Sequence, residues 1–302
     1  MGAKNLSIVQ QVVHLTIWLA LLTLVFVTLE RFFTLRPAPG RRKELPRDIA
    51  YYFLNNLLPT AMLALCAAVL ASAFGRLLPS AFTAQVASLP IWVRSLGVFV
   101  VGEIGYYWGH RWMHVNPFLW RFHAVHHAAE HVDWLTNTRA HPIDMIFGRL
   151  CGLVPIYALG LVQPGHAGET LPVLALIASQ LFGVVWSFFI HANVRWRFGP
   201  FEHLLATPAF HHWHHTNDKV FRDRNFASTL PILDRLFGTL HLPREWPEVY
   251  GIDAPMSRSL SGQLLDPIVP RRRSVSGTAR VPTQTAEPVI TSRRAGEDVV
   301  RP

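Results

Sequence analysis

The chain has 302 residues, 50% of them hydrophobic and 16% charged, with a formal net charge of +9 and 16 histidines. So little charge, with the apolar residues gathered in long blocks, excludes an ordinary soluble domain and points to a membrane protein. The two cysteines, Cys66 and Cys151, both lie in apolar stretches, which excludes a disulfide framework and a thiolate metal site.

Five apolar segments come near the roughly 20 residues that a helix needs to cross a bilayer core. They cover residues 9–29, 50–74, 91–108, 143–162 and 171–190. The first lacks the basic start and small-residue cleavage site of a secretory signal and reads as a retained helix. The link after it carries Arg36, Arg41, Arg42, Lys43 and Arg47, whereas "QPGHAGET" between the fourth and fifth segments has neither Arg nor Lys. By the bias of basic residues toward the cytoplasm, the first link is cytoplasmic. Counting crossings from there, residues 109–142 and the chain from 192 onward return to the same side, and these regions hold most of the histidines. The expected fold is all-α: an integral membrane helical bundle with a cytoplasmic, histidine-rich helical cap. Residues 1–90 would be N-terminal membrane helices and residues 91–250 a domain of membrane helices that carries the histidine clusters described next. Residues 256–302 would form a disordered basic tail, since they are rich in Ser, Pro, Thr and Arg, with eight arginines against four acidic residues. A tail of that kind suits anionic lipid rather than nucleic acid.

The histidines fall into three clusters. "HRWMH" places His110 and His114 four residues apart, one turn apart on one helical face. "HAVHH" gives His123, His126 and His127 the spacing i, i+3, i+4, and His131 continues that stripe. "HHWHH" repeats the spacing with His211, His214 and His215, leaving His212 off the face. Eight imidazoles on one side of a membrane protein point to metal binding, and they are too many for one ion, so two ions are the economical solution. Imidazole suits Fe, Zn, Cu and Ni alike. His191 ends the uncharged fifth segment, where an ionisable side chain needs a partner, and joins the candidate ligands. His141 is a further candidate for ligation or support; His14, His166, His203 and His241 read as ordinary. Ligating imidazoles usually donate their other N–H to an acceptor. Glu103, two turns before His110, is the first candidate for that role, with Asp133 and Asp218; Asp234 reads rather as an ion pair with a neighbouring Arg.

Beyond the clusters, "EIGYYWGHRWMH", "HAVHHAAEHVDWLT", "HANVRWRFGPFEHLLATPAFHHWHH" and "RNFASTLPILDRLFGTL" resemble, in order and spacing, blocks of the fatty acid hydroxylase superfamily, also called the sterol desaturase family. The resemblance runs from about Glu103 to Leu240. It implies a membrane oxidoreductase with a di-iron centre that uses O2 to hydroxylate or desaturate a lipid or sterol-like C–H bond. Carried over by position, the metal ligands are His110, His114, His123, His126, His127, His211, His214 and His215, and His191 fits the place of an additional ligand. Iron comes from this resemblance and not from spacing. Zinc on the same nitrogens would make a membrane hydrolase, though no cluster contains the general base of an H-E-x-x-H motif. A metal-binding transporter or sensor is the other class left open; it would carry polar groups near the membrane midplane, where the spans show Asn55 and Asn56 and few others. No nicotinamide, haem or iron–sulfur motif is present, so electrons must come from a separate donor, and a basic cytoplasmic surface suits an acidic carrier. Trp108, Phe188 and Phe189 are the expected apolar walls for a lipid substrate.

Overall fold

Each of the five apolar segments forms a helix. The computed structural model describes residues 7–37, 42–162 and 170–269. In chain order its α-helices are α1 (Ile8–Phe33), α2 (Leu45–Leu77), α3 (Ser80–Ala87), α4 (Ile91–Val115), α5 (Pro117–His127), α6 (Pro142–Ala158), α7 (Thr170–His191), α8 (Pro208–His214), α9 (Ile232–Leu236) and α10 (Leu260–Leu265). Two 3₁₀ turns, Trp134–Thr138 and Gly199–His203, complete the fold, and the described residues contain no strand beyond isolated bridges.

Two helices, α1 and α2, are long and apolar enough to cross a membrane. A third crossing results if α3 and α4, which meet at a 108° bend, count as one span. This differs from the expected five. α6 has 17 residues, about 26 Å at the usual helical rise, which is less than a bilayer core. The apolar part of α7 that can be assessed, Leu181–His191, is shorter still. The link between them, with Gly165 and His166, lies outside the described residues. On α1 the apolar side chains face outward: Ile17, Trp18, Leu21 and Leu24 are all at least half exposed, and Phe26 is the buried exception. An apolar surface of that length is what lipid covers.

The C-terminal end of α1 and the N-terminal half of α2 are tied to the histidine-bearing half by polar contacts. Glu30 on α1 accepts hydrogen bonds from the backbone N–H groups of Trp134 and Asn193, at 2.8 and 2.9 Å. Phe26, one turn earlier, stacks on Trp134. On α2, the fully buried Asp48 receives both Arg139 Nε and Nη2 at 2.8 Å. Asn55, two turns further, donates to the carbonyls of Thr138 and Ala140. The 134–141 stretch is thereby fixed from below by two helices that contribute no histidine to the centre.

α4 and α6 approach closely, and glycine makes it possible. A side chain at Gly105 would collide with the Cys151 carbonyl, and a Cβ at Gly109 would lie 2.6 Å from the Cys151 Cβ. Gly102 and Gly152 meet on the same seam, where a Gly152 Cβ would stand 3.1 Å from the Gly102 carbonyl oxygen. Small residues are the usual means by which apolar helices approach without a hydrophobic driving force. The seam ends at His110 on α4 and at Asp144 on α6, so helix packing sets the height of both.

The described chain continues past Met256, where the change in composition suggests a disordered tail. α10 is capped by Ser259, Gln263 is buried and donates to the Ser257 carbonyl, and the Leu264 carbonyl contacts His141. The order comes from contacts that composition does not register; the rest of the expected tail, 270–302, lies outside the described residues.

Replacing Gly105 by Val forces α4 and α6 apart against backbone that cannot yield. We expect a loss of about 1–3 kcal/mol or more and reduced metal content, read by thermal unfolding and elemental analysis of the detergent-purified protein. Unchanged values would mean that the seam does not set the site.

Candidate metal centre

The nine histidines singled out as ligands converge into two groups. His110, His114, His123, His127 and His214 form one; His126, His191, His211 and His215 form the other. Within each group the candidate ligand atoms all lie within 4.8 Å of one another, and every residue is buried except the half-buried His114. The groups adjoin through the stacked rings of His127 and His215, whose centroids are 4.6 Å apart.

Local structure explains the convergence. α4 carries His110 and His114 one turn apart, and α5, capped by Asn116 and opened by Pro117, carries His123, His126 and His127. α8, capped by Thr207 with Pro208 in its first turn, carries His211 and His214, and His215 ends it. α7 brings up His191 at its last residue. Because α5 presents His123 and His127 to one group and His126 to the other, a single helix serves both.

The remaining ring nitrogens decide what the convergent ones can do. His110 Nδ1 donates to the Phe226 carbonyl at 2.7 Å, His126 Nδ1 to Arg139 at 2.9 Å, His191 Nδ1 to Ser187 at 2.6 Å and His214 Nδ1 to Arg224 at 3.0 Å. A carbonyl only accepts, so these four Nδ1 atoms hold the proton and the four Nε2 atoms present lone pairs. His126 and His191 Nε2 then stand 3.2 Å apart with no proton between them. That contact is repulsive unless a cation takes both pairs. His214 Nε2 is buried without any hydrogen-bond partner, as a metal ligand lacking its metal would be. The donor set therefore fits two metal ions. His114 and His123 differ in kind, since their Nδ1 atoms face carboxylates, Asp223 and Asp144, each at 3.0 Å. Among the described residues, only the five-histidine group has acidic support.

Burial holds the imidazoles in the neutral form that ligation requires. The His126 pKa is lowered to about 4, first by burial and then by the neighbouring His123. His127, His211, His214 and His215 are pushed well below the ordinary value, again first by burial and then by neighbouring histidines.

The sequence candidates for supporting roles divide. Glu103 does not reach a histidine; it accepts from Ser228 Oγ and from the N–H and Oγ1 of Thr229. Asp133 caps the 134–138 turn and pairs with Arg42, and Asp218 accepts from the Val220 N–H. Asp234 forms no ion pair among the described residues. It accepts from the N–H groups of Phe226 and Ala227, at 2.7 and 2.9 Å, and from Thr239 Oγ1. It thus fixes the loop whose Phe226 carbonyl receives His110. His141 caps α6 through its Nδ1 and reaches the Leu264 carbonyl, which removes it from both groups, and His131 is likewise in neither. His212 is buried with both nitrogens engaged, by Tyr250 and by the Ala192 carbonyl. Asp144 and Asp223 are the carboxylates that reach the clustered histidines, and the sequence pattern points to neither. Asp144 sits three residues after His141 at the head of an apolar segment, the one signal that could have found it.

Below the histidines lies a cavity of about 260 Å³. His110, His123, His126, His191 and His211 face it, and Phe99, Leu153, Ile156 and Phe188 continue its wall into the helical body. Phe188 thus lines it as expected. Trp108 and Phe189 do not, and pack instead on Phe237 and Trp186.

Residues 95–239 match the family model for fatty acid hydroxylase. This stretch resembles a fatty acid hydroxylase domain. Both histidine groups, Asp144 and the loop held by Asp234 lie within it. Ornithine lipid hydroxylase OlsE of Rhizobium tropici is 36% identical over 173 residues, 56% of this chain and 48% of that protein. Alkylglycerol monooxygenase of Homo sapiens is 30% identical over 159 residues, 53% of this chain and 33% of that protein. Very-long-chain aldehyde decarbonylase GL1-11 of Oryza sativa subsp. indica is 31% identical over 157 residues, 50% of this chain and 55% of that protein. The chain thus covers about half or less of the length of these relatives. No solved structure matches it.

Two outcomes are expected. Asp144→Asn removes the carboxylate from His123 and should lower metal affinity at the five-histidine group about 10–100-fold, leaving the other ion bound in a chelator competition. The metal-free protein should lose stability as pH falls from about 6.5 to about 4. In that window the unfolded histidines take up protons that their folded counterparts, such as His126 with a pKa of about 4, still refuse. Thermal unfolding between pH 7.5 and 4.5 reads the slope, and a flat profile would contradict the buried neutral state.

Proposed function

We propose that this protein is a membrane di-iron oxidoreductase that uses O2 to hydroxylate or desaturate a lipid C–H bond, with electrons from a separate donor protein. The observation that carries this reading is the convergence of nine imidazoles, five and four, into two adjoining buried groups over a cavity with both apolar and polar walls. His110, His114, His123, His127 and His214 would hold one iron, and His126, His191, His211 and His215 the other. Bound there, the iron pair supplies activation of oxygen and removal of hydrogen from an unactivated carbon. The chain's own residues do the rest. Carbonyls of Ser187, Arg139, Arg224 and Phe226 fix the rings that aim at the ions, and Asp144 and Asp223 offset part of the added charge. The cavity wall brings an alkyl or ring portion of a lipid to His110, His123, His126, His191 and His211 while keeping water away. The histidine cap faces the cytoplasm, on the side of the basic link that includes Arg36 and Arg42. The names of the similar proteins, two of them acting on lipids by hydroxylation or monooxygenation, agree with this chemistry.

Anaerobically iron-loaded protein should contain about two ions per chain. His126→Ala or His214→Ala should each remove at least one. In cells, comparison of a deletion strain with strains restored by the wild type or by His127→Ala should show one lipid class that lacks a hydroxyl or a double bond in the deletion and in the variant. A stoichiometry near zero, or turnover retained with a single zinc, would contradict the reading.

A further inference from the structure

Resting on the lipid reading above, we propose that Arg149 is the receptor for an anionic group of the substrate, a carboxylate or a phosphate, with the Tyr106 hydroxyl as a second donor. Arg149 sits midway along α6 between apolar neighbours, where a charged side chain is costly unless it finds a partner. It lines the cavity that the histidines face, yet among the described residues it makes no hydrogen bond or ion pair. The two acidic groups on the same wall are already engaged. Glu103 is held by Ser228 and Thr229, and Asp144 by His123. The Tyr106 hydroxyl lines the cavity and likewise has no hydrogen-bond partner among the described residues. Asn55 Oδ1, buried and also among the cavity's lining residues, is an acceptor with no donor. An amphiphile with an anionic oxygen group beside a hydroxyl or amide N–H would satisfy all three at once.

Position gives the group a purpose. Arg149 lies five residues beyond Asp144, about 7.5 Å along α6, and Tyr106 lies four residues before His110, about 6 Å along α4. Both are a little over one turn from the histidine level, toward the apolar wall. A head clamped there places the carbons nearest to it, rather than the far end of the chain, against the two histidine groups. Arg149 is in this sense a substrate-positioning residue. Arginine suits the task because its planar fork matches the two oxygens of a carboxylate or phosphate.

The test uses the full-length, iron-loaded protein in detergent, with palmitate, hexadecyl phosphate and the neutral methyl palmitate as probes, and native mass spectrometry as the readout. The wild type should retain at least one anionic probe about tenfold or more over methyl palmitate. A preference for palmitate or for hexadecyl phosphate identifies the group. Arg149→Gln should abolish the preference, Arg149→Lys should keep part of it, and Tyr106→Phe should weaken it, each with about two ions still bound to show that the site is intact. No preference in the wild type, or an unaltered one in Arg149→Gln, would overturn the proposal. Lipid oxidation is read separately. A wild type that prefers the anionic probes but oxidises no lipid contradicts the oxidase reading alone. Oxidation that proceeds with a charge preference indifferent to Arg149→Gln contradicts the Arg149 assignment alone.

Discussion

Lone pairs on buried imidazoles cannot face one another at 3 Å without something positive between them, and the rest of this structure depends on that constraint. His126 and His191 meet in this way with both protons committed elsewhere, to the Arg139 and Ser187 carbonyls. Protonating a ring would relieve the contact in water, but burial lowers the His126 pKa to about 4 and closes that route. Cations taking these lone pairs would relieve the contact, and the two-group arrangement offers places for two. The fold can be understood as the set of contacts that keeps the rings aimed when those ions are present.

Those contacts reach far from the histidines. Asp48 on α2 holds the Arg139 side chain, and the Arg139 carbonyl holds His126, so a membrane helix without a ligand sets the orientation of one. Asp234 and Asn225 do the same for the 224–227 loop, whose carbonyls receive His214 and His110. Asn225 and Asp223 adopt left-handed backbone, with φ of 57° and 62°, a region that Asn and Asp tolerate better than most residues. The glycine seam between α4 and α6 brings Asp144 within reach of His123. The asymmetry that follows is chemical. Among the described residues one histidine group meets two carboxylates and the other none, the His211 and His215 Nδ1 atoms being buried without a partner, so the two groups differ in charge.

The convergence of the nine histidines was legible in the sequence because helical spacing places i, i+3 and i+4 on one face, and because His191 ends a segment that has no other charge. The partners of their outer nitrogens were not. Asp144 is 21 residues from His123 and Asp223 is 109 from His114, and no local pattern links residues so far apart. Glu103 shares a face with His110 but turns to Ser228 and Thr229 instead, since a helical face says nothing of which neighbour covers it. Carbonyl acceptors carry no sequence signature at all. Five helices were legible, but the number of crossings was not, because apolar side chains that pack inside a bundle look the same as those facing lipid. Arg149 was masked by the apolar residues on either side of it. The order at α10 comes from contacts with residues more than a hundred positions away, such as His141, which composition does not reveal.

The claim that two ions occupy the two histidine groups is tested most directly by locating iron in an experimental structure of the loaded protein, by anomalous scattering at the iron edge. Two peaks are expected, one among His110, His114, His123, His127 and His214 and the other among His126, His191, His211 and His215. A single peak, or a peak outside these groups, would contradict it.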